Sequence, residues 1–549
     1  MKHTVLSIVA SALWSAGCCV PCAPCRCPEA ACERACGPSA APPTELGGAT
    51  AAERQADDYR KALETAHRAA LMMSRLVAGL GDEQGARARG QHVGTFEVGA
   101  SAAMRLGDVA EATFFLESGR AGSLLESLGA RAALQSVVLP DDLRRAEAEA
   151  RKGEADATAA SYLARESGDL SALRAAREAV VRAQDRLLDA VERSERAAKA
   201  AARLSYPLAM PIEDIQGLLA PGDALVTYGV FGKDSMAVVL TRGAARIVSL
   251  RETAKIASAC AALADADASS DWAASLSQLR SLLITPLALT SDTRRLLVSA
   301  DGPLFRVPFA ALVDAVSVAY VPSGTAYGVL REERAKRGDR VLALGDPGYA
   351  SKGGSTGHAL KPLVHLPLTG VEARAIGDVV LVGSNASEGG FRTALATRLR
   401  WRAIHIASHF VIDVERPNFS AAVLAPDATE DGFLRAIEVS RSKIDADLVV
   451  LSGCESARGT VFGCEGLLCL PRAFLLAGVP RVIGSLWKVD DEATRALMVK
   501  FYELWNPKDG KPGLPTAEAL RRAQAFVRSQ EKWRHPYFWA AWVLWGLPE

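Results

Sequence analysis

Two short apolar segments of the chain each lead into a residue that can take part in nucleophilic catalysis. Residues 404–407 precede His409, and residues 448–451 lead through a serine and a glycine into Cys454. If the two segments are neighbouring parallel strands, their carboxyl ends meet at the edge where open α/β sheets place their sites. A thiol beside an imidazole can attack a carbonyl carbon, so a cysteine protease is the first hypothesis.

Cys454 lies in a polar loop that is rich in glycine. A thiol is a useful nucleophile only as the thiolate, which needs a nearby cation, imidazole or helix amino end. Gly453 permits close approach, and a helix predicted over residues 465–477 starts nearby. The alternative is a buried cysteine that merely packs, but the position at a strand end favours a functional role.

His405 and His409 share one face of their predicted strand, because side chains alternate along a strand. Only His409 stands at the strand end, where it can act as a general base with a titration range near neutrality. His405 is more typical of a buried or supporting histidine.

The elements around these residues predict an α/β domain. From residue 211 onward, short β-type runs at 223–229, 236–240 and 295–299 are separated by turn residues and helical spacing. Strand–helix alternation then continues to the C-terminus, which predicts a mostly parallel sheet.

The preceding 150 residues have helical periodicity and look non-catalytic. Residues 102–121 read as one helix–turn–helix unit with small residues at the contact positions, similar to a tetratricopeptide repeat. Pro140-Asp141-Asp142 opens a helix that breaks at residues 167–169, and a second helix follows over 170–204. We expect an antiparallel hairpin here and a surface that binds a protein partner or packs on the rest of the chain.

Seven of the eleven cysteines lie between Cys18 and Cys36. An apolar run over residues 5–14 and the sequence Ser15-Ala-Gly-Cys18 resemble a secretory signal with a bacterial lipoprotein box, although Ser15 replaces the usual larger aliphatic residue. Cys18 is therefore the candidate for lipidation and for a membrane tether. The following cysteines have metal-site spacing without a nearby histidine, which favours a tether over a metal site.

The bulk numbers exclude several classes of function. The 549 residues carry a net charge of +1, which gives no basic excess for nucleic-acid binding. The glycines of residues 353–357 lack the Lys-Ser/Thr ending of a phosphate loop. We therefore expect no nucleic-acid partner, no metal and no cofactor.

The C-terminal part, about residues 211–549, resembles the CHAT domain, a caspase-like peptidase domain often attached to tetratricopeptide repeats. Eight separated motifs carry the resemblance in the right order: 301–312, Leu344-Gly-Asp-Pro347, His405-Ile-Ala-Ser-His409, 448–459, 463–466, 472–478, 485–491 and 535–541. The resemblance implies a caspase-haemoglobinase-like α/β domain with a mostly parallel sheet.

The resemblance also implies roles for individual residues. His409 matches the catalytic histidine of the family and Cys454 its nucleophile, which together form a dyad. Backbone N–H groups of Phe410 and Cys454 are expected to form the oxyanion hole. Glu455, Asp490 and Asp491 are candidates for an acidic pocket that receives Arg or Lys before the cleaved bond, with helix capping as the alternative for the two aspartates.

This chain departs from the family pattern at two points. Phe410 replaces the glycine that usually follows the catalytic histidine, and Glu455-Ser-Ala-Arg replaces the typical Glu-Thr-Gly. A phenylalanine retains the N–H group but adds bulk and can forbid the backbone conformation of a glycine. The departure therefore concerns the oxyanion hole.

Together these observations predict four segments: a signal at 1–18, a Cys/Pro/Ala-rich linker at 19–52, a helical region at 53–207, and a CHAT domain at 211–549 with a pseudo-caspase-like half at about 211–335 and a catalytic half at about 338–549. The leading hypothesis is an endopeptidase that is regulated through its helical region and acts on a protein substrate. The alternatives are a catalytically degenerate scaffold for protein–protein interaction and another thiol hydrolase such as an amidase. We expect an exported or membrane-anchored bacterial lipoprotein, with a cytoplasmic location as the alternative.

Overall fold

The computed structural model describes most of the chain beyond the N-terminal 50 residues. The described ranges are 51–77, 80, 82–120, 122–129, 138–167, 169–202, 209–232, 234–264, 267–332, 337–349, 363–462, 466–507 and 511–549. Residues 1–50, which include the predicted signal, the cysteine cluster with the lipidation candidate Cys18 and most of the predicted linker, lie outside these ranges, so their roles stay predictions. The last two residues predicted as linker, 51 and 52, belong to the first described helix. No described helix is long and apolar enough to cross a membrane.

Helices dominate the N-terminal part and flank the sheet in the C-terminal part. The helices are α1 (Ala51–Val77), α2 (Asp82–Gly90), α3 (Val93–Leu106), α4 (Val109–Ser118), α5 (Gly122–Gly129), α6 (Asp141–Ser167), α7 (Leu170–Ala202), α8 (Ile212–Leu218), α9 (Thr253–Ala264), α10 (Trp272–Leu279), α11 (Phe309–Leu312), α12 (Gly324–Glu332), α13 (Pro367–Ile376), α14 (Glu388–Ala396), α15 (Ala436–Arg441), α16 (Leu470–Ala477), α17 (Asp491–Trp505) and α18 (Thr516–Ser529).

Sixteen strands are described, all of them after residue 220. The strands are β1 (Asp223–Gly229), β2 (Met236–Thr241), β3 (Ala244–Ser249), β4 (Arg295–Ser299), β5 (Ser317–Tyr320), β6 (Val341–Pro347), β7 (Val379–Gly383), β8 (Ala403–Ala407), β9 (His409–Val411), β10 (Ala421–Val423), β11 (Phe433–Arg435), β12 (Val449–Ser452), β13 (Gly459–Phe462), β14 (Gly466–Cys469), β15 (Arg481–Ser485) and β16 (Trp542–Gly546).

A mixed, mostly parallel sheet forms the centre of the molecule. Its eleven strands run in the order β3-β2-β1-β4-β5-β16-β15-β12-β8-β6-β7. The pairs β3–β2, β2–β1 and β15–β16 are antiparallel, and the other pairs are parallel. Strands β8 and β12 are buried along their whole length, as expected for parallel strands that helices cover on both faces. The predicted fold class, a helical region followed by a mostly parallel α/β domain, is confirmed.

The helical region contains the two motifs that the sequence indicates. Helices α3 and α4 are joined at Gly107, which has a left-handed φ of 72°, and Asp108 caps α4 by accepting from the Glu111 amide. Helices α6 and α7 form the predicted antiparallel hairpin. The first helix of the hairpin ends at Ser167 and the second begins at Leu170, and Asp169 before the second helix accepts from the Ser171 amide.

Buried polar contacts attach this helical region to the α/β domain. Glu117 of α4 accepts hydrogen bonds from the amides of Gly324 and Thr325 at the start of α12. These groups are the free donors at a helix N-terminus, so the carboxylate stabilises both the helix and the junction. The side chain of Glu117 is buried.

The hairpin α6–α7 packs on a second, smaller sheet of order β11-β10-β9. Glu154 of α6 forms a 2.9 Å ion pair with Arg435 of β11, and both side chains are buried. The ring of Tyr162 stacks on that of Phe433, with centroids 5.9 Å apart. Because β9 begins at His409, the hairpin supports the sheet that carries the predicted catalytic histidine.

One local prediction near Cys454 is wrong. The helix expected over residues 465–477 begins at Leu470, and residues 466–469 are instead strand β14, paired with β13. Pro471 occupies the first turn of the helix, where its missing N–H costs nothing, and this proline marks the true start. The amino end of α16 therefore lies sixteen residues after Cys454 in the chain.

Candidate functional site

The two predicted catalytic residues follow adjacent parallel strands. In the pairing of β8 with β12, Ala407 lies opposite Ser452, so both chains leave the sheet at the same edge. His409 and Cys454 then line one small pocket of about 60 Å³. The other lining residues are Leu366, Leu368, Thr369, Glu372, Ser408, Ser452, Gly453, Val489, Asp491 and Thr494. The structure thus brings the predicted thiol and imidazole together at the edge that the topology favours.

A backbone carbonyl orients the imidazole of His409. Nε2 of the ring lies 2.9 Å from the carbonyl oxygen of Val364. A carbonyl oxygen can only accept, so Nε2 must carry the proton, and in the neutral ring the lone pair is then on Nδ1. Nδ1 is therefore the nitrogen that can take a proton from a thiol.

Tyr349 holds the same histidine from its other side. The tyrosine ring lies 5.4 Å from the imidazole, measured between centroids, and the hydroxyl accepts from the His409 amide at 3.4 Å. The hydroxyl also bonds to Oγ of Ser408 at 2.9 Å. Burial raises the pKa of Tyr349 to about 12, so its hydroxyl remains protonated across the physiological range.

The thiol of Cys454 lies in an environment that disfavours the thiolate. Burial of the sulfur raises its pKa, and the carboxylates of Asp491 and Glu455 raise it further. The amide of Val489, which donates to the sulfur, and the charge of Lys488 act in the opposite direction. Within the described residues no hydrogen bond joins the sulfur to the His409 ring, so proton transfer requires the two side chains to approach.

Phe410 occupies an extended strand position and has no unfavourable φ angle. It lies opposite Ala422 in the β9–β10 pair. Its ring packs over Gly453, where an added Cβ would come within 2.6 Å of ring carbons and 2.3 Å of the Ser408 carbonyl oxygen. The backbone conformation that Phe410 adopts is thus open to any residue, and the bulk of its side chain is accommodated by the glycine before Cys454.

The N–H group of Phe410 points to the open edge of β9. Ala422 of β10 directs its backbone N–H and C=O groups towards its partner Leu434 in β11. This direction follows because alternate residues of an antiparallel strand bond to the same neighbour, and the residues two positions before and after Ala422 also bond to the β11 side. These flanking bonds run from the Leu424 amide to the Gly432 carbonyl and from the Ala436 amide to the Ser420 carbonyl. The neighbours of Ala422 therefore bond to β9, and Phe410, opposite Ala422, directs its N–H away from β10.

Of the three predicted pocket acids, only Asp491 lines the pocket. Asp490 caps α17 by accepting from the amide of Ala493, and Glu455 forms a 2.6 Å ion pair with Arg458. Burial raises the pKa of Asp491, and the nearby carboxylates of Asp490 and Glu372 raise it further, while His409 lowers it. The capping alternative thus describes Asp490, and the pocket position describes Asp491.

A buried glutamate that the sequence analysis did not single out completes the pocket floor. Oε1 of Glu372 accepts from the Ser452 hydroxyl at 2.6 Å and lies 2.9 Å from Nε2 of His405. All three side chains are buried. Glu372 lies two residues before Arg374 in α13, and no local sequence pattern marks it as a pocket residue. His405 takes the supporting position that the sequence analysis predicts.

Searches against curated proteins find relatives over part of the chain. Tetratricopeptide repeat protein 28 of Mus musculus is 35% identical over 114 residues, and that of Homo sapiens is 34% identical over 114 residues. Each match covers 21% of this chain and 4% of the relative. The chain thus spans only a small fraction of the length of these relatives.

Two solved structures are also similar to part of the chain. The Saccharomyces cerevisiae separase–securin complex matches with a TM-score of 0.32 and 18% identity, over 50% of this chain and 17% of that chain. The complex of Porphyromonas gingivalis RgpB pro- and mature domains matches with a TM-score of 0.34 and 11% identity, over 50% and 69%.

The family comparison covers the region that holds the site. The model of the CHAT domain matches residues 273–547, which include His409, Cys454, Glu372 and Asp491. This match spans half of the chain. The protein therefore belongs to the CHAT domain family.

Proposed function

We propose that this protein is a cysteine endopeptidase of the caspase-like type that hydrolyses peptide bonds in a protein substrate through Cys454 and His409. The observation that carries the proposal is the shared pocket of the two residues at the ends of adjacent parallel strands. The hydrogen bond from Nε2 of His409 to the Val364 carbonyl adds support, because it leaves Nδ1 as the base.

The mechanism follows from this arrangement. Nδ1 of His409 takes the thiol proton as Cys454 Sγ attacks the scissile carbonyl carbon. The oxyanion forms near the backbone N–H groups of Cys454 and Phe410, the second of which points to the open edge of β9. The imidazolium then protonates the leaving amine, and a thioester remains on Cys454. His409 next takes a proton from water, whose oxygen attacks the thioester and releases the acid and the thiol.

The floor of the pocket supports a preference for a basic residue before the cleaved bond. Asp491 and the buried Glu372 both line it. Their two carboxylates repel each other, which raises the pKa of Asp491 and favours the binding of a cation between them. A substrate ammonium or guanidinium group would relieve this repulsion. The acidic pocket that the sequence analysis assigned to three residues would thus consist of Asp491 and Glu372.

The position of the helical hairpin supports regulation through the helical region. A protein partner that binds α6 or α7 would act on β11 through Glu154 and Arg435, and β11 belongs to the sheet that begins at His409. In this proposal, a change at the surface of α6 or α7 reaches His409 through the single three-stranded sheet β11-β10-β9.

A second candidate is a binding scaffold without catalysis. Two observations favour it: the raised pKa of the Cys454 thiol, and the Phe410 ring that packs beside the nucleophile on Gly453. A thiol that stays protonated is a weak nucleophile, and a ring packed on the residue before Cys454 restricts the movement that acyl transfer needs.

Labelling of the full chain with an acyloxymethyl ketone peptide that has Lys or Arg next to the warhead separates these candidates. We expect one label per chain in the wild type, none in Cys454→Ala, and strongly slowed labelling in His409→Ala. Cys260→Ala, which changes a buried cysteine away from the pocket, is the matched control and should label normally. Equal labelling of wild type and Cys454→Ala would sink the peptidase proposal and leave the scaffold.

A further inference from the structure

Strand β6 has a strained backbone conformation at Asp346, close to its C-terminal end. Asp346 has a φ of +46°, in the left-handed region that non-glycine residues rarely adopt. The pairing of β6 with β7 shifts register between Gly345 and Pro347, on either side of Asp346. Strain and register shifts of this kind persist where the surrounding structure holds them, and they cluster near functional sites.

The contacts of Asp346 show what the strain achieves. Oδ1 of its carboxylate lies 2.8 Å from Nδ1 of His365 and accepts from the Leu366 amide at 3.3 Å. The backbone amide of Asp346 donates to Oγ1 of Thr369 at 2.8 Å. The Thr369 hydroxyl in turn donates to the Leu366 carbonyl at 2.7 Å. Three hydrogen bonds thus tie the end of β6 to residues 365–369 around the start of α13, and the fourth bond holds that start together.

The tied segment is the one that orients the catalytic base. His365 and Leu366 directly follow Val364, whose carbonyl accepts the proton on Nε2 of His409. His365 is itself mostly exposed, with 62% of its side chain accessible, so packing alone does not hold this part of the chain. The hydrogen bonds to Asp346 are the polar contacts that fix residues 365 and 366 to the sheet.

We propose that Asp346 is a positioning residue for the proposed peptidase: it holds residues 364–366 so that the Val364 carbonyl keeps His409 in the Nε2–H tautomer, with Nδ1 free to act as the base. His365 is the second member of this clamp. The proposal gives a role to the Leu344-Gly-Asp-Pro347 motif, and it rests on the proposed role of His409 as the base.

A purely structural role for Asp346 makes a different prediction. If the carboxylate only stabilised the turn, its loss would lower stability without changing the tautomer of a histidine that it does not touch. The tautomer of His409 is therefore the informative readout. It can be measured in the full chain by ¹⁵N NMR with selectively labelled histidine, and His409→Gln identifies the signal.

Three variants separate the clamp from the backbone strain. Asp346→Gly removes the carboxylate but tolerates the positive φ, and Asp346→Asn keeps an acceptor oxygen and also tolerates it. Asp378→Asn is the matched control: Asp378 accepts a backbone amide, that of Val341, at the opposite end of β6. Thermal unfolding of each variant reports whether the fold is intact.

We expect Asp346→Gly to move the His409 tautomer ratio towards Nδ1–H by about tenfold, the scale of one lost hydrogen bond, and to slow labelling of Cys454 by a similar factor. Asp346→Asn and Asp378→Asn should resemble the wild type. An unchanged tautomer ratio in a folded Asp346→Gly protein would overturn the proposal. If the wild type is not labelled through Cys454, the peptidase proposal fails, and the tautomer ratio still decides whether Asp346 positions His409.

Discussion

Replacing Gly453 with alanine tests whether the close approach of two strand ends is needed for the site. An ideal Cβ on Gly453 would lie 2.3 Å from the Ser408 carbonyl oxygen and 2.6 Å from carbons of the Phe410 ring. Ordinary carbon–oxygen contacts begin at about 3.3 Å. The ends of β12 and β8 must therefore separate by about 1 Å, since the oxygen belongs to the backbone and cannot rotate away.

This separation has two expected consequences. Overpacking of this kind lowers the free energy of unfolding by roughly 1–3 kcal/mol, which urea denaturation can measure. It also moves Cys454 relative to His409, and a displacement of about 1 Å in a catalytic pair can reduce the rate by on the order of 100-fold. We therefore expect Gly453→Ala to be folded at low temperature but labelled by the peptide ketone about 100 times more slowly than the wild type.

A matched control is Gly217→Ala in α8, where an added Cβ meets no atom within 4 Å. This variant should label at the wild-type rate and be at least as stable, because alanine is favoured over glycine in a helix. Iodoacetamide, which needs no oriented base, should still reach Cys454 in Gly453→Ala. Labelling of Gly453→Ala at the wild-type rate, with the expected loss of stability, would refute the argument that strand-end geometry sets the dyad.

Two further predictions concern the carboxylates of Asp491 and Glu154. Asp491→Asn removes a carboxylate that raises the pKa of the Cys454 thiol, so the pH profile for alkylation of Cys454 should move to lower pH. The control Glu492→Gln changes an exposed neighbouring carboxylate and should leave this profile in place. A shift of the Asp491→Asn profile to higher pH would contradict the prediction. Burial raises the pKa of Glu154 above its unfolded value despite Arg435, so the stability linked to its protonated form is present at low pH and lost as the pH rises through the folded-state pKa. Urea denaturation should accordingly find that the stability deficit of Glu154→Gln relative to the wild type becomes smaller as the pH rises through the folded-state pKa of Glu154, and a deficit that grows with pH would count against the assignment.

Local patterns in the sequence predicted the elements that carry the site. Apolar runs ending at His409 and Cys454 identified β8 and β12, because buried parallel strands have few other compositions. The turn at Gly107-Asp108 and the hairpin break near residue 168 were readable from glycine and capping chemistry, which act within a few residues.

The parts that were missed depend on contacts between distant segments. Glu372 reaches the pocket from α13, and its bond to Ser452 joins residues 80 positions apart. The Val364 carbonyl has no side-chain signature at all, because any residue supplies the same oxygen. The sequence predicts helix for the residues of strand β14, because the apolar residues of so short a run fit either period.

The departure at Phe410 shows why a family pattern can mislead about a single position. A glycine there suggested a need for free φ, but the residue lies in a regular strand, and the structure places the demand for a small residue at Gly453 instead. The Phe410 ring therefore occupies the space that a side chain at position 453 would need, and Gly453 leaves that space open.

Because the hairpin α6–α7 packs on the α/β domain, the change in composition near residue 207 does not separate two independently stable domains. Residues 55–549 form one compact unit. A buried ion pair crosses that boundary, since Arg435 lies after residue 207 and its partner Glu154 lies before it. Removing one partner of such a buried pair costs roughly 3–5 kcal/mol, a large share of the stability of a typical domain. The helical region thus packs on the half of the α/β domain that holds His409 and Cys454. A change in the position or stability of α6 is therefore expected to act on the small sheet in which β9 begins at His409.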